Sequence, residues 1–272
     1  MDVAAALCRH ERTAVIVGLS AARLLQMPLP KEVESWGIST PVHVSVPGGR
    51  SGSDQVVRWH DFTFQDHDVG RFSYRQPSVA GAPGAEPTSS LRLSTRARTW
   101  RDLAQFLSHW RLVAVGDHLV RTPRPGLERG RHRPWCTIDE LRDVCRGNHM
   151  QALRAAVGDI RIGADSPMET LLRLAFREAG LPTPEINTPL AGADGNNRIT
   201  PDFQWPQYGM CAEYDGRPHD GTRQVERDIR RGRAVARAGF TEVRLYSQDT
   251  LPDCGDAVRI VRDELIRHGW RP

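Results

Sequence analysis

Residues 198–215 read Arg-Ile-Thr-Pro-Asp-Phe-Gln-Trp-Pro-Gln-Tyr-Gly-Met-Cys-Ala-Glu-Tyr-Asp. Side chains alternate between the two faces of a strand. Over 198–205, Ile199, Phe203 and Trp205 are expected on one face, with Pro201 among them, and Thr200, Asp202 and Gln204 on the other. Over 210–215, Met210, Ala212 and Tyr214 share a face, and Cys211, Glu213 and Asp215 share the opposite one. The connection Pro206-Gln-Tyr-Gly209 is of hairpin length. Pairing Trp205 with Met210 sets Phe203 opposite Ala212, Asp202 opposite Glu213 and Thr200 opposite Asp215, which keeps both apolar faces together.

That register has an electrostatic consequence. Opposed residues of an antiparallel pair have Cβ atoms only about 4.5–5.5 Å apart. Two carboxylates so placed repel, and one pKa rises unless a cation intervenes. Asp215 adds a third acid on the same face. Two readings follow. In one the acids hold a divalent metal, and the all-oxygen set suits Mg²⁺ (or Mn²⁺). In the other they form a solvated polar face neutralised by nearby arginines.

Working outward, Ser166-Pro-Met-Glu169 predicts a helix start with Ser at the N-cap, Pro at N1 and Glu169 closing a capping box. Met168, Leu171, Leu172, Ala175 and Ala179 then make an apolar stripe that Gly180 ends. Glu169 has two readings, cap or metal-site acid. Downstream, a helix over 222–238 carries Arg223, Arg227, Arg230 and Arg231 near one face. These could grip nucleic-acid phosphates, or form a solvated face with Glu226 pairing Arg230. The whole segment reads helix, strand, strand, strand, helix, strand, helix.

Pro201-Asp202 and Glu213-Tyr-Asp215, preceded by a helical Glu169, resemble the PD-(D/E)XK nuclease superfamily. Glu213-Tyr-Asp-Gly-Arg-Pro-His219, followed by Arg227-Asp228 and Arg231, resembles its Vsr-like branch more narrowly. The resemblance covers about 165–270 and implies a restriction-endonuclease-like mixed sheet flanked by helices. It implies that Asp202 and Glu213 bind Mg²⁺, that Glu169 and Asp215 tune the site, and that His219 is the general base for the attacking water. Asp215 stands where the superfamily has lysine, and the chain's only lysine is Lys31.

The first half is predicted as a mixture of helices and short strands. Ser20 is expected to cap a helix through Met27. Strands are expected at Val42–Val46, Val56–Trp59 and Leu91–Ser94. Residues 98–110 are expected to be helical, with Leu103, Phe106, Leu107 and Trp110 at core spacing. Thr137-Ile-Asp-Glu140 forms a capping box. The run 59–68, Trp-His-Asp-Phe-Thr-Phe-Gln-Asp-His-Asp, reads either as a metal-ligand set or as a strand entering a polar loop. Residues 76–90 read as a loop and 121–134 as a basic connector. Ser20-Ala-Ala-Arg-Leu-Leu, Val42–Pro47, Arg98–Ala104 and Gly116-Asp117 resemble the body of AbiEi-type antitoxins of type IV toxin–antitoxin systems. That resemblance covers about 4–144.

Composition fits this picture. The 272 residues contain 39% hydrophobic side chains, enough for packed cores, and a net charge of +4, compatible with nucleic acid. The basic residues are nearly all arginine, suited to bidentate phosphate contacts and also expected of a GC-rich coding sequence. The five cysteines fit no zinc or disulfide spacing and read as reduced thiols. No apolar run spans a bilayer, and the start lacks a signal-peptide pattern, so a cytoplasmic protein without membrane association is expected. The expectation is an α/β (α+β overall) chain with an antitoxin-like module at 1–150 and a nuclease-like domain at 160–272. The expected function is a metal-dependent DNA endonuclease or nickase with DNA as partner. The alternative is a non-enzymatic antitoxin or regulator with a cognate toxin.

Overall fold

The computed structural model describes residues 2–35, 37, 40–50, 52–75, 88–124, 128, 130–190, 199–216 and 222–272. It is mixed α and β, with mixed sheets flanked by helices, and divides into two units, Met1–Ile160 and Arg161–Pro272.

The first unit runs α1 (Asp2–His10), β1 (Val15–Ile16), α2 (Gly18–Leu24), α3 (Lys31–Glu34), β2 (Val42–Ser45), β3 (Val57–His60), β4 (Val69–Arg75), β5 (Thr88–Ser94), α4 (Arg96–Asp102), α5 (His109–Val120), α6 (Ile138–Asp143) and α7 (Met150–Asp159). Its described strands form one sheet in the order β3-β2-β1-β5-β4. The pairs β1–β5 and β2–β3 are parallel, and the other two are antiparallel. Val42, Val44 and Val46 pack with Ile16, Leu91 and Leu93 in its core. The capping box predicted at α6 is present, with the Glu140 N–H donating to Thr137 Oγ1 (3.1 Å) and the Thr137 N–H to Glu140 Oε2 (2.7 Å).

Two local expectations are corrected here. Ser20 caps no helix. It is buried inside α2, and its hydroxyl accepts from the His43 N–H (2.9 Å), tying α2 to β2. The stretch 98–110 is not one helix. A 3-10 turn at Leu103–Gln105 breaks it, and α5 restarts at His109 with Ser108 as N-cap. Phe106 therefore lies exposed, while Trp100 and Leu103 are fully buried. Within the basic connector expected at 121–134, Arg121 and Arg131 are buried and both pair with Glu128.

The second unit runs α8 (Pro167–Glu178), β6 (Glu185–Ile186), β7 (Phe203–Trp205), β8 (Met210–Asp215), α9 (Thr222–Arg237), β9 (Thr241–Tyr246) and α10 (Gly255–Arg267). That is the element order the pattern predicts. The described sheet has the order β6-β7-β8-β9, antiparallel except for β8–β9. A parallel neighbour needs a crossover, and α9 supplies it.

Register is set by the alternation. Phe203 pairs with Ala212, Gln204 with Cys211 and Trp205 with Met210. The turn is a short 3-10 helix, Pro206–Tyr208, closed by Gly209 at φ +55°, a left-handed position that glycine adopts without steric cost. On one face Phe203, Trp205, Met210, Ala212 and Leu245 pack against Leu172 and Phe176 of α8 and Val261 and Leu265 of α10. Phe176 meets Phe203 edge-on at 5.4 Å between ring centroids. Trp205 satisfies its indole N–H on the Pro182 carbonyl (2.7 Å).

The opposite face is not uniformly polar. At its lower end Cys211 packs with Leu190, Ile199 and Val235 beneath α9. Ile199 thus sits on the face opposite to the one alternation assigns it. Pro201 is the reason: β7 begins only at Phe203, so the period-two count does not carry back through the proline to Ile199.

Candidate functional site

The upper end of that second face carries the acids. Asp202 immediately precedes β7, and its Oδ2 accepts the Tyr214 backbone N–H of β8 (2.8 Å). The Asp202 backbone is close enough to the Glu213 carboxyl to oppose the upward shift that burial gives it. Asp202 thus reaches across to β8 at the residue after Glu213, one step beyond the Phe203–Ala212 pair.

Glu169 joins them through α8. Ser166 accepts the Glu169 N–H (3.2 Å), which is half of the expected capping box. The other half is absent. The Glu169 Oε2 instead accepts from the Asp165 N–H (2.8 Å) and from the Asn187 side-chain amide (2.5 Å). Asn187 also donates its backbone N–H to the Asp202 carbonyl (3.1 Å). One residue thus links the α8 acid to the β7 acid. Asn187 sits at φ +51°, in the left-handed region that Asn tolerates better than most residues. Sequence reasoning missed it, since nothing local marks an Asn that bridges two distant acids.

Glu169 is buried at 5% exposure. Burial raises its pKa, and the Asp202 charge raises it further. The groups that oppose this are dipoles: the Asp165 N–H, the Ser166 hydroxyl and the Asn187 amide. The cap alone therefore does not account for Glu169.

Glu213 differs. Burial raises its pKa, but a guanidinium opposes the shift. Arg231 on α9 bonds Glu213 Oε2 through Nη2, and its Nε donates to Glu242 Oε1 of β9 (2.8 Å). Burial lowers the Arg231 pKa, yet Glu242 and Glu213 outweigh it and hold the residue above its ordinary value. Arg244 adds a contact to Glu242 (3.3 Å). Arg231, one of the four arginines expected to grip phosphates, thus has its side chain turned onto the sheet acids. Glu242 and Arg244 were also missed: they alternate on one face of 241–246, but nothing local shows that this face meets Arg231.

The remaining predicted residues are placed as follows. Asp215 ends β8 opposite Tyr246 and is half-buried. Arg230 is exposed on α9. His219 and the side chains of Arg223 and Arg227 lie outside the described residues. In the first unit, the 59–68 run forms no ligand set. Its Asp68 is 1% exposed and is held by Arg98 (3.0 Å) and Arg146 (3.3 Å). Among the described residues, no three His, Cys, Asp or Glu side chains gather as a metal-binding group, and no helix is long and apolar enough to cross a membrane. All five cysteines are free thiols.

No family model matches the chain, and no solved structure matches it. It is similar to two curated proteins of Mycobacterium tuberculosis, "Uncharacterized protein MT2308" of strain CDC 1551 / Oshkosh and "Uncharacterized protein Rv2248" of strain ATCC 25618 / H37Rv. Each is 35% identical over 101 residues, 36% of this chain. The matched part spans 37% of the length of these relatives. Their names state no activity.

Proposed function

We propose that the second unit is a divalent-metal-dependent DNA endonuclease or nickase of the Vsr-like PD-(D/E)XK kind, in which Asp202 and Glu169 are the cation-binding carboxylates. The observation that carries this is the pair itself: a glutamate buried at 5% exposure, whose carboxylate is held by the Asp165 N–H and the Asn187 amide, with Asn187 also donating its backbone N–H to the Asp202 carbonyl. The donor set fits Mg²⁺ or Mn²⁺. It is all oxygen, and Mg²⁺ commonly takes one or two carboxylates, with waters and substrate phosphate completing its shell. Glu213 fits less well than its strand position suggests, since Arg231 already neutralises it.

When bound, the cation would stabilise charge on the phosphate oxygens. The Tyr214 N–H fixes the Asp202 carboxylate, and Asn187 fixes Glu169. By resemblance, His219 would take the proton of the attacking water. Arg223, Arg227 and Arg230 would hold the strand, and Asp215 would adjust the local charge. The protein would work in the cytoplasm.

The test is nicking of supercoiled plasmid with Mg²⁺ or Mn²⁺, together with calorimetric titration of Mg²⁺. Asp202→Asn and Glu169→Gln are each expected to abolish nicking and to weaken Mg²⁺ binding at least ~10-fold. Wild-type protein that never nicks, with Mg²⁺ binding untouched by either change, overturns the reading.

One observation favours a second reading. Arg231 sits against Glu213 as an internal cation, and Asp215 occupies the lysine position. A nuclease fold kept as a binding module, in a non-enzymatic antitoxin or regulator with a cognate toxin, would look like this. Deleting 98–116 would then remove toxin neutralisation or repression, and Asp202→Asn would leave both intact.

A further inference from the structure

Beside the acid pair the second unit has a cavity of about 360 Å³ between α8, the segment after it and β6. Three guanidinia line it: Arg161, Arg173 and Arg177. Its other polar walls include Thr183, Thr188 and one acid, Glu185, whose Oε2 accepts from the Gln204 amide (3.1 Å). The lining therefore carries three positive charges against one negative. Ile162, Pro184 and Ile186 give it an apolar floor.

Its position relative to the acids follows from helix geometry. Glu169, Arg173 and Arg177 are spaced i, i+4, i+8 and lie along one face of α8. Successive members are ~6 Å apart along the axis. Helical side chains lean toward the N-terminus, so both arginines lean toward the Glu169 turn. Asn187, which holds the Glu169 carboxylate, sits in sequence between Ile186 and Thr188 of the cavity wall. The cavity and the acid pair thus share α8 and the β6 edge.

We infer that this cavity binds a phosphate group of a nucleic-acid strand whose neighbouring phosphodiester lies at Asp202 and Glu169. Each guanidinium carries five N–H donors in a planar fork, so one that is held by the protein still presents others to an oxyanion. Three forks and two hydroxyls around a cavity larger than a phosphate suit a tetrahedral anion. The apolar floor leaves a surface for the attached sugar or base. Three guanidinia favour a terminal 5′-phosphate, with its extra charge, over an internal diester. The inference rests on the nuclease reading for what lies next door, but not for the phosphate chemistry of the cavity.

The experiment uses the full chain in EDTA, so that no cleavage is needed. Fluorescence anisotropy measures binding of a labelled single-stranded DNA with a 5′-phosphate and of the same strand with a 5′-hydroxyl, over a range of salt. The variant is Arg161→Glu with Arg177→Glu; both positions are exposed, and circular dichroism checks the fold. The expected result is ~10-fold tighter binding of the 5′-phosphorylated strand. The double variant should lose that preference, and the slope of log K against log salt should fall by about 1–2. Equal binding of both strands, with the same loss in the variant, assigns the cavity to an internal phosphate and still supports it. Unchanged affinity and salt slope in the variant overturn it, whether or not Asp202→Asn abolishes nicking. Conversely, wild-type protein that never nicks, with Mg²⁺ binding untouched by Asp202→Asn and Glu169→Gln, refutes the nuclease reading, and loss of phosphate binding in the arginine variant then leaves the cavity standing.

Discussion

Replacing Arg231 by methionine keeps an aliphatic stem of similar length and removes the guanidinium. It leaves Glu213 and Glu242 on adjacent strands without the cation they share. Arg231 and Glu213 are each about a quarter exposed, and Glu242 is 9% exposed. Exposed pairs contribute about 0–1 kcal/mol, and breaking fully buried ones costs about 3–5. This network lies between those limits, so the expected loss is ~1–3 kcal/mol. For a unit of roughly a hundred residues, 1 kcal/mol shifts Tm by about 4–8 °C. Differential scanning calorimetry of the full chain should therefore show the transition of the second unit lowered by roughly 5–15 °C. The pH dependence has a definite sign. The Glu213 carboxyl already lies above its usual value because of burial. Without Arg231 it rises further, the native state holds protons that the unfolded state has released, and stability falls as pH rises through that titration. The deficit of Arg231→Met is thus larger at about pH 8 than at about pH 5. Adding Glu213→Gln should recover part of it, with a coupling of at least ~0.5 kcal/mol. A Tm within about 1 °C of wild type, or a deficit that Glu213→Gln does not alter, would refute the account of Arg231 as the internal cation of this site.

Three further outcomes follow from packing and burial. Phe203→Ala removes a fully buried ring packed on Phe176 and should cost ~3–5 kcal/mol in urea unfolding. Gly116→Ala sets a Cβ 2.3 Å from Ile160 Cδ1 and 3.3 Å from Trp100 Nε1, both in buried side chains with little room to yield. A loss of ~1–3 kcal/mol is expected, and an unchanged melting curve would show that the first unit's core is looser than its packing implies. Asp102 is buried, and burial pushes its carboxyl up to about 6 from 3.8 despite Arg98 at 2.8 Å. Its native form holds an extra proton between those values, so it contributes a destabilisation that grows as pH rises across that window, reaching ~3 kcal/mol. Asp102→Asn should flatten that part of the pH profile of the urea midpoint. His43 and His118, each lowered to about 4 mainly by burial, slope the opposite way but are common to both proteins and cancel in the difference.

The second unit was legible where its pattern is local. Alternation over 203–205 and 210–215 fixes the register, and Ser166 with Pro167 fixes the start of α8. The pattern misled where a backbone rule interrupts it, as Pro201 does for Ile199, or, in the first unit, where two patterns compete, as at 98–110. There a helical period runs over a break that only Ser108 hints at. Of the candidate site, the acids could be named from sequence, but their partners could not. Asn187 and Glu242 reach Glu169 and Arg231 from elements distant in sequence, and spacing carries no record of such contacts. The first unit shows the same limit: Asp68 looks like a ligand in sequence, and only the fold reveals Arg98 and Arg146 around it.

β8 alternates between two interiors. Met210 and Ala212 belong to the core under α8 and α10, while Cys211 belongs to the one under α9 and Glu213 follows it on that face. Inserting or deleting one residue in β8 would exchange the two sets, driving an acid into the first core and an alanine out of it. The acids can therefore be erased one at a time by substitution, but they cannot migrate along the strand. A chain that keeps this sheet therefore either keeps the Glu213 acid where it is or loses it in place.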